Sequence, residues 1–278
     1  MNSIPKVKLK GTKRLFIKLG TCSRALCYIL DREFGFMKEP EEQALEPLAG
    51  GIMTQGYQCG MLWGASLALG AESFRRYNDQ DKAIALAIKA TQHIMESFIN
   101  RTQSADCLDI TNCNWSSKSS IAKYFVTGKV VSCFKLMERW APEAVQAAYE
   151  GLSHDQTELP DQCISCASEV AKKMGATPEQ MVMVAGFAGG LGLSGNACGA
   201  LAAAIWMKTL TLIKEQPGKS FLTNPELNQI QEKFLSVTDF KFLCTEITGK
   251  QFMTLDEHTE FLKQGGCDNV INILAQTP

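Results

Sequence analysis

Three histidines among 278 residues, at positions 93, 154 and 258, are too few and too scattered for a histidine-built metal site, and no Ser/His/Asp arrangement can be assembled around them. Charge imbalance is equally scarce. A formal net charge of −1 and a pI near 6.3 remove any global electrostatic reason to expect nucleic acid or an anionic membrane as partner. The basic opening from Lys6 to Lys18 is a local exception. It reads as a solvated arm and first helical face, with a docking patch for an acidic partner as the other reading. Lys13, Arg14 and Lys18 interrupt the apolar stretch around Leu15 to Leu19, so no secretory signal is read and a cytoplasmic location is expected. Pro47 to Ala71 and Met181 to Met207 carry no charge, but closely spaced glycines divide each into shorter helices, so neither is read as a membrane span. No period-two stretch is long enough to build a sheet, which leaves an all-helical architecture.

What the chain has in quantity is cysteine. Eleven thiols, an odd number, in a chain read as cytoplasmic point to metal binding or redox work rather than structural bridges. Their arrangement is duplicated. Gly50-Gly51-Ile52-Met53-Thr54-Gln55-Gly56-Tyr57-Gln58-Cys59-Gly60 recurs without a gap as Gly189-Gly190-Leu191-Gly192-Leu193-Ser194-Gly195-Asn196-Ala197-Cys198-Gly199. Cys107-Leu-Asp-Ile-Thr pairs with Cys244-Thr-Glu-Ile-Thr, and Cys133 with Cys267. For the first cysteine of each unit two pairings stand. Cys27 and Cys166 align without a gap, whereas Cys22 and Cys163 need a two-residue gap but fall on the apolar stripe of their helices and are preferred. A breaker-rich stretch, His154 to Pro160, separates the units, giving repeats over 1–153 and 154–278 packed as a pseudo-two-fold pair. Cys59 and Cys198 are read into the first turns of helices, where free amides and the macrodipole lower a thiol pKa, and are the candidate redox thiols.

Competing motifs are weaker. Gly190-Leu-Gly192-Leu-Ser-Gly195 matches the dinucleotide fingerprint as a string but follows a helix, not a strand. Cys163-Ile-Ser-Cys166 is a potential dithiol, which the first unit does not share. Met53, Met61, Trp63 and Trp206 read as core packing.

An early cysteine, a glycine-rich turn into Cys-Gly-Ala-x-x-Gly, a Cys-x-Glu-Ile-Thr-Gly-like loop and a last cysteine before a closing helix together resemble the redox-active protein family named C_GCAxxG_C_C, here in tandem. The first unit departs with Met61 for the usual Ala, the second with Ala203 for the last Gly; both are packing changes. The resemblance implies sites of Cys22, Cys59, Cys107 and Cys133 and of Cys163, Cys198, Cys244 and Cys267, with Cys27 and Cys166 as alternatives to Cys22 and Cys163. A similar segment of split-Soret cytochromes is associated with an iron-sulfur centre, so the resemblance implies one iron-sulfur cluster per repeat, used for electron transfer or redox sensing. Zinc on the same cysteines, a metal-free thiol-disulfide oxidoreductase and a helical interaction module with buried structural cysteines remain alternatives. The redox partner is unidentified, and homo-oligomerisation is open.

Overall fold

The computed structural model describes Leu9 and residues 11–276; Lys6, Lys8 and Lys10 of the basic opening lie outside the described residues. After an opening helix α1 (Thr12–Leu19), the first unit consists of α2 (Cys22–Phe34), α3 (Glu39–Gln43), α4 (Gly60–Arg76), α5 (Gln80–Thr102), α6 (Cys107–Thr111), α7 (Lys118–Val126) and α8 (Val130–Gly151). The second repeats that order as α9 (Cys166–Lys173), α10 (Pro178–Met183), α11 (Gly199–Glu215), α12 (Pro225–Val237), α13 (Cys244–Thr248), α14 (Leu255–Lys263) and α15 (Asp268–Ala275). No strand occurs among the described residues, and no helix there is long and apolar enough to cross a membrane.

Local chemistry sets the boundaries. Gly35 closes α2 in the left-handed region. Thr177 opens α10 with a full capping box to Gln180. The glycine-rich segment is neither helix nor strand. Residues Gly50 to Thr54 all have positive φ, including the non-glycines Ile52, Met53 and Thr54, as do Gly189 to Leu193 in the second copy. A side chain on Gly51 would collide with the Tyr57 backbone, so the double glycine is a steric requirement of the turn. The segment ends only at the cysteines: α4 and α11 begin at Gly60 and Gly199, so Cys59 and Cys198 are their N-caps rather than residues of the first turn.

The long central helices face each other's units. α4 packs on α10, and α11 packs on α3. Gly70 makes the first approach close, since a Cβ there would meet the backbone of Met183 at 2.6 Å. Trp63 stands edge-on to Phe187 with centroids 5.0 Å apart, and the Trp206 indole donates to the Glu41 carbonyl at 3.0 Å. Gln58, fully buried, donates its amide to the Gly190 and Ala197 carbonyls at 3.1 and 3.4 Å. Met53, Met61, Trp63 and Trp206 are all core residues.

Candidate functional site

In each unit four helix N-termini border one space, and each carries a cysteine. In the first unit Cys22 opens α2, Cys59 caps α4, Cys107 opens α6, and Cys133 lies in the first turn of α8. In the second Cys166 opens α9, Cys198 caps α11, Cys244 opens α13, and Cys267 caps α15. Unpaired amides at such ends favour negative charge, so this is a setting for sulfur in its anionic or metal-bound form.

Backbone pairing explains how distant cysteines meet. The Cys59 N–H donates to the Ala105 carbonyl at 2.8 Å, and the Cys107 N–H to that of Tyr57 at 2.7 Å. The second unit repeats this with Cys198 to Phe242 at 2.9 Å and Cys244 to Asn196 at 2.7 Å. These isolated antiparallel bridges clamp the glycine turn to the Cys-x-x-Ile-Thr helix. That motif has its own logic. Thr111 and Thr248 return their hydroxyls to the carbonyls of Cys107 and Cys244, and left-handed Asn112 and Gly249 end the turn. The glycine after the cysteine is required too, because a Cβ on Gly60 would lie 2.7 Å from the Cys22 sulfur.

In the first unit all four sulfurs line a cavity of about 350 Å³, walled by α1, α7 and the start of α8. The Tyr124 hydroxyl lies 3.0 Å from the Cys133 sulfur. Trp115 also lines it, and its buried indole N–H favours ionisation of the Cys107 thiol beside it. In the second unit Cys166, Cys198, Cys244 and Cys267 line a space of only about 10 Å³, closed by Phe252, Ile247, Val270 and His258. Counted from Cys107 and Cys244, Phe252 occupies the position that Trp115 holds in the first unit.

The preference for Cys163 over Cys166 is corrected by this geometry. Ser165 caps the helix by accepting from the Ser168 N–H, so α9 starts at Cys166 and Cys163 precedes it. Cys163 lines a separate hollow with Asp79 and Asp81, and Cys27 sits inside the core with its thiol 3.7 Å from an Asp31 oxygen. Cys22 and Cys166 are the equivalent pair. The sulfur of Cys22 meets the amides of Gly50, Cys22 and Ser23; that of Cys166 meets those of Gly189, Cys166 and Ala167. Their unequal distance from the Cys-Gly pair arises because α2 has 13 residues and α9 has 8.

The expectation of lowered pKa values at Cys59 and Cys198 is corrected as well. Burial drives Cys198 up to about 12. Cys59 is raised chiefly by its interaction with the Cys22 thiol, with burial adding to the effect, and Cys22 is lowered chiefly by that interaction and by its backbone amides, against burial. Burial raises Cys107, Cys244, Cys267 and Cys166, and carries Cys133 to about 11 against the pull of the Tyr124 hydroxyl. Cys22 is thus the sulfur most readily ionised. Sequence reasoning missed Tyr124, Trp115 and His258. The imidazole of His258 is pushed down to about 4 by burial, with the Ile164 carbonyl opposing. Cys113, also buried, lies by Cys133 and has no counterpart, since Lys250 stands at its place in the second unit.

Among the described residues no group of three or more His, Cys, Asp or Glu is arranged to hold a metal ion. A tetrahedral zinc site, which needs its ligands on one small sphere, is therefore not preformed. The cavity of the first unit leaves room beside its cysteines for a larger sulfur-bound group. The corresponding space in the second unit is far smaller. The family described as "Putative redox-active protein (C_GCAxxG_C_C)" matches residues 21–175 and again 162–277. No curated protein and no solved structure matches the chain.

Proposed function

The chain belongs to the redox-active C_GCAxxG_C_C family, matched twice along its length, and on that premise we propose that it is an electron-transfer or redox-sensing protein whose working centre is the four-cysteine site of the first unit. Cys22, Cys59, Cys107 and Cys133 would hold an iron-sulfur cluster. The observation that carries the reading is their convergence, at four helix N-termini, on one cavity of about 350 Å³. A dithiol mechanism needs two sulfurs, whereas four cysteines line this cavity. Bound there, such a cluster supplies one-electron transfer through sulfur-ligated iron. The protein's own contribution is to offset thiolate charge with helix N-termini, to offer the Trp115 indole and Tyr124 hydroxyl as donors, and to keep the site largely dry. In this reading the second unit is a closed copy that supports the first.

A second reading has its own observation, that Cys59 and Cys22 share the cavity lining and shift each other's ionisation in opposite directions. Without metal, the Cys22 thiolate would attack a disulfide on a partner, forming a mixed disulfide. Cys59 would then displace the partner's remaining sulfur, leaving a Cys22–Cys59 disulfide and a partner reduced by two electrons.

Anaerobic purification followed by an absorbance spectrum and assays of iron, zinc and sulfide tests the proposal. Visible absorption with equal iron and acid-labile sulfide, one centre per chain and no zinc, is the expected result. Metal-free protein with a reversible two-electron thiol titration would replace the cluster with the dithiol. Thiols inert in both assays would overturn both readings in favour of an interaction module with structural cysteines.

A further inference from the structure

The lining of the open cysteine cavity is uncharged, but the stretches of chain that supply α1, α7 and the start of α8 around it carry charge of one sign. Residues 113–137, covering α7 and the start of α8, contain Lys118, Lys123, Lys129 and Lys135 and no Asp or Glu. Residues 12–20, covering α1, contain Lys13, Arg14 and Lys18 and again no acid. None of these seven side chains is held in any ion pair formed among the described residues. The matching stretch of the second unit, 250–274, carries Asp256, Glu257, Glu260 and Asp268 against Lys250 and Lys263. The fold therefore does not require a basic surface at this place, and it is the unit with the open cavity that has one.

Apolar side chains stand among these cations. Ile17 is 59 % exposed, Phe125 55 % and Val126 88 %. Ile17 and Phe125 also line the cavity, so they lie at its mouth. A second, polar hollow of about 340 Å³, lined by Asn112, Ser119, Ser120, Lys123 and Lys129, adjoins the cysteine cavity, and Tyr124 lines both. Two ammonium groups beside hydroxyl and amide donors suit a carboxylate. Apolar contacts ringed by cations suit a protein face with an apolar centre and an acidic rim.

We infer that the face formed by α1, α7 and the start of α8 is the docking surface for an acidic redox protein, which seats a carboxylate in the hollow of Lys123 and Lys129 and covers the mouth of the cysteine cavity. The inference rests on the proposed function only in naming the partner of that site; the surface itself is independent of what the cysteines hold.

Binding tests it without any redox readout. A small acidic ferredoxin serves as protein probe, and vesicles of phosphatidylglycerol with phosphatidylcholine test the competing anionic surface. On wild type and on the Cys22→Ser variant alike, calorimetry at 20 mM salt should detect ferredoxin binding that weakens at least tenfold at 200 mM. Two separate variants, Lys13→Glu/Arg14→Glu/Lys18→Glu and Lys123→Glu/Lys129→Glu, each checked for folding by circular dichroism, should each weaken it at least tenfold at low salt. Lys172→Glu/Lys173→Glu on the second unit should leave it unchanged. Absence of salt-dependent binding, or equal binding by the reversed variants, would overturn the inference. Vesicle binding in place of ferredoxin binding would overturn it in favour of a membrane surface. Loss of the metal centre in Cys22→Ser with ferredoxin binding intact separates the docking face from the proposed function, and either can fail alone.

Discussion

Cys59 and Cys22, 37 residues apart in the chain, act on each other thiol to thiol, so that ionisation is made easier at Cys22 and harder at Cys59. The amides of Gly50, Cys22 and Ser23 complete the shell around the Cys22 sulfur. The second unit has the same three amides around Cys166 but no thiol that favours its ionisation, and there burial wins.

Cys59→Ala should therefore raise the pKa of Cys22. In metal-free protein, the pH dependence of iodoacetamide alkylation at Cys22, read by mass spectrometry, should move to higher pH. At pH 7.5 the alkylation rate should fall roughly tenfold for every pH unit by which the profile moves. An unchanged pH profile in Cys59→Ala would show that the amides alone set the ionisation of Cys22.

The contrast between a cavity of about 350 Å³ and one of about 10 Å³ predicts unequal repeats. Cys59→Ser should abolish the visible absorption of anaerobically prepared protein, and Cys198→Ser should retain it with unchanged iron per chain. Retention in Cys59→Ser with loss in Cys198→Ser would place the working site in the second unit. Equal partial loss in both would restore one centre per repeat.

Much of this was legible in the sequence because duplication displays its constraints twice. The glycine turn, the Cys-Gly step and Cys-x-x-Ile-Thr recur, and each recurrence has a steric or hydrogen-bonding cause: the Tyr57 backbone against Gly51, the Cys22 sulfur against Gly60, and Thr111 and Thr248 on the carbonyls four residues back. The first cysteine of the second unit was harder to place, because an apolar stripe says that a side chain faces inward but not which interior it reaches. Thr21-Cys22 and Ser165-Cys166, a hydroxyl residue before a cysteine at a helix start, held the information. The unequal cavities were not legible, since they depend on how Phe252 and His258 fill space that α1, α7 and α8 leave open in the other unit. Nor was the balance at Cys59, where the Cys22 interaction and burial together outweigh a favourable helix end.

Gly60→Ala tests the steric basis of the Cys-Gly step. The added methyl would lie 2.7 Å from the Cys22 sulfur and 3.0 Å from the Ala49 backbone, within a buried helix start. A cost of about 1–3 kcal/mol in urea unfolding is expected, together with loss of the lowered Cys22 pKa as its sulfur is displaced. Gly11→Ala, where a Cβ would meet nothing within 4 Å, isolates the strain of positive φ from any clash, and its thiol titration should match wild type.

Asp31 supplies a pH test in the core of the first unit. It is 2 % exposed, one carboxylate oxygen has no partner, and the other faces the Cys27 thiol at 3.7 Å. Burial pushes its pKa up to about 7, against the opposing bonds from Cys27 and the Lys38 backbone. The folded state then holds a proton that the unfolded chain has released above a pKa near 3.8. Stability from this group is complete below the unfolded value and is lost as pH rises toward 7, a loss of roughly 2–4 kcal/mol across that window. Asp31→Asn, neutral at every pH, should remove this decline, so that the urea midpoints of variant and wild type, compared at pH 5 and pH 7.5, diverge in the variant's favour at the higher pH. Parallel pH profiles for the two proteins would mean that Asp31 stays ionised in the fold, with the Lys38 amide and the Cys27 thiol sufficient to hold its charge.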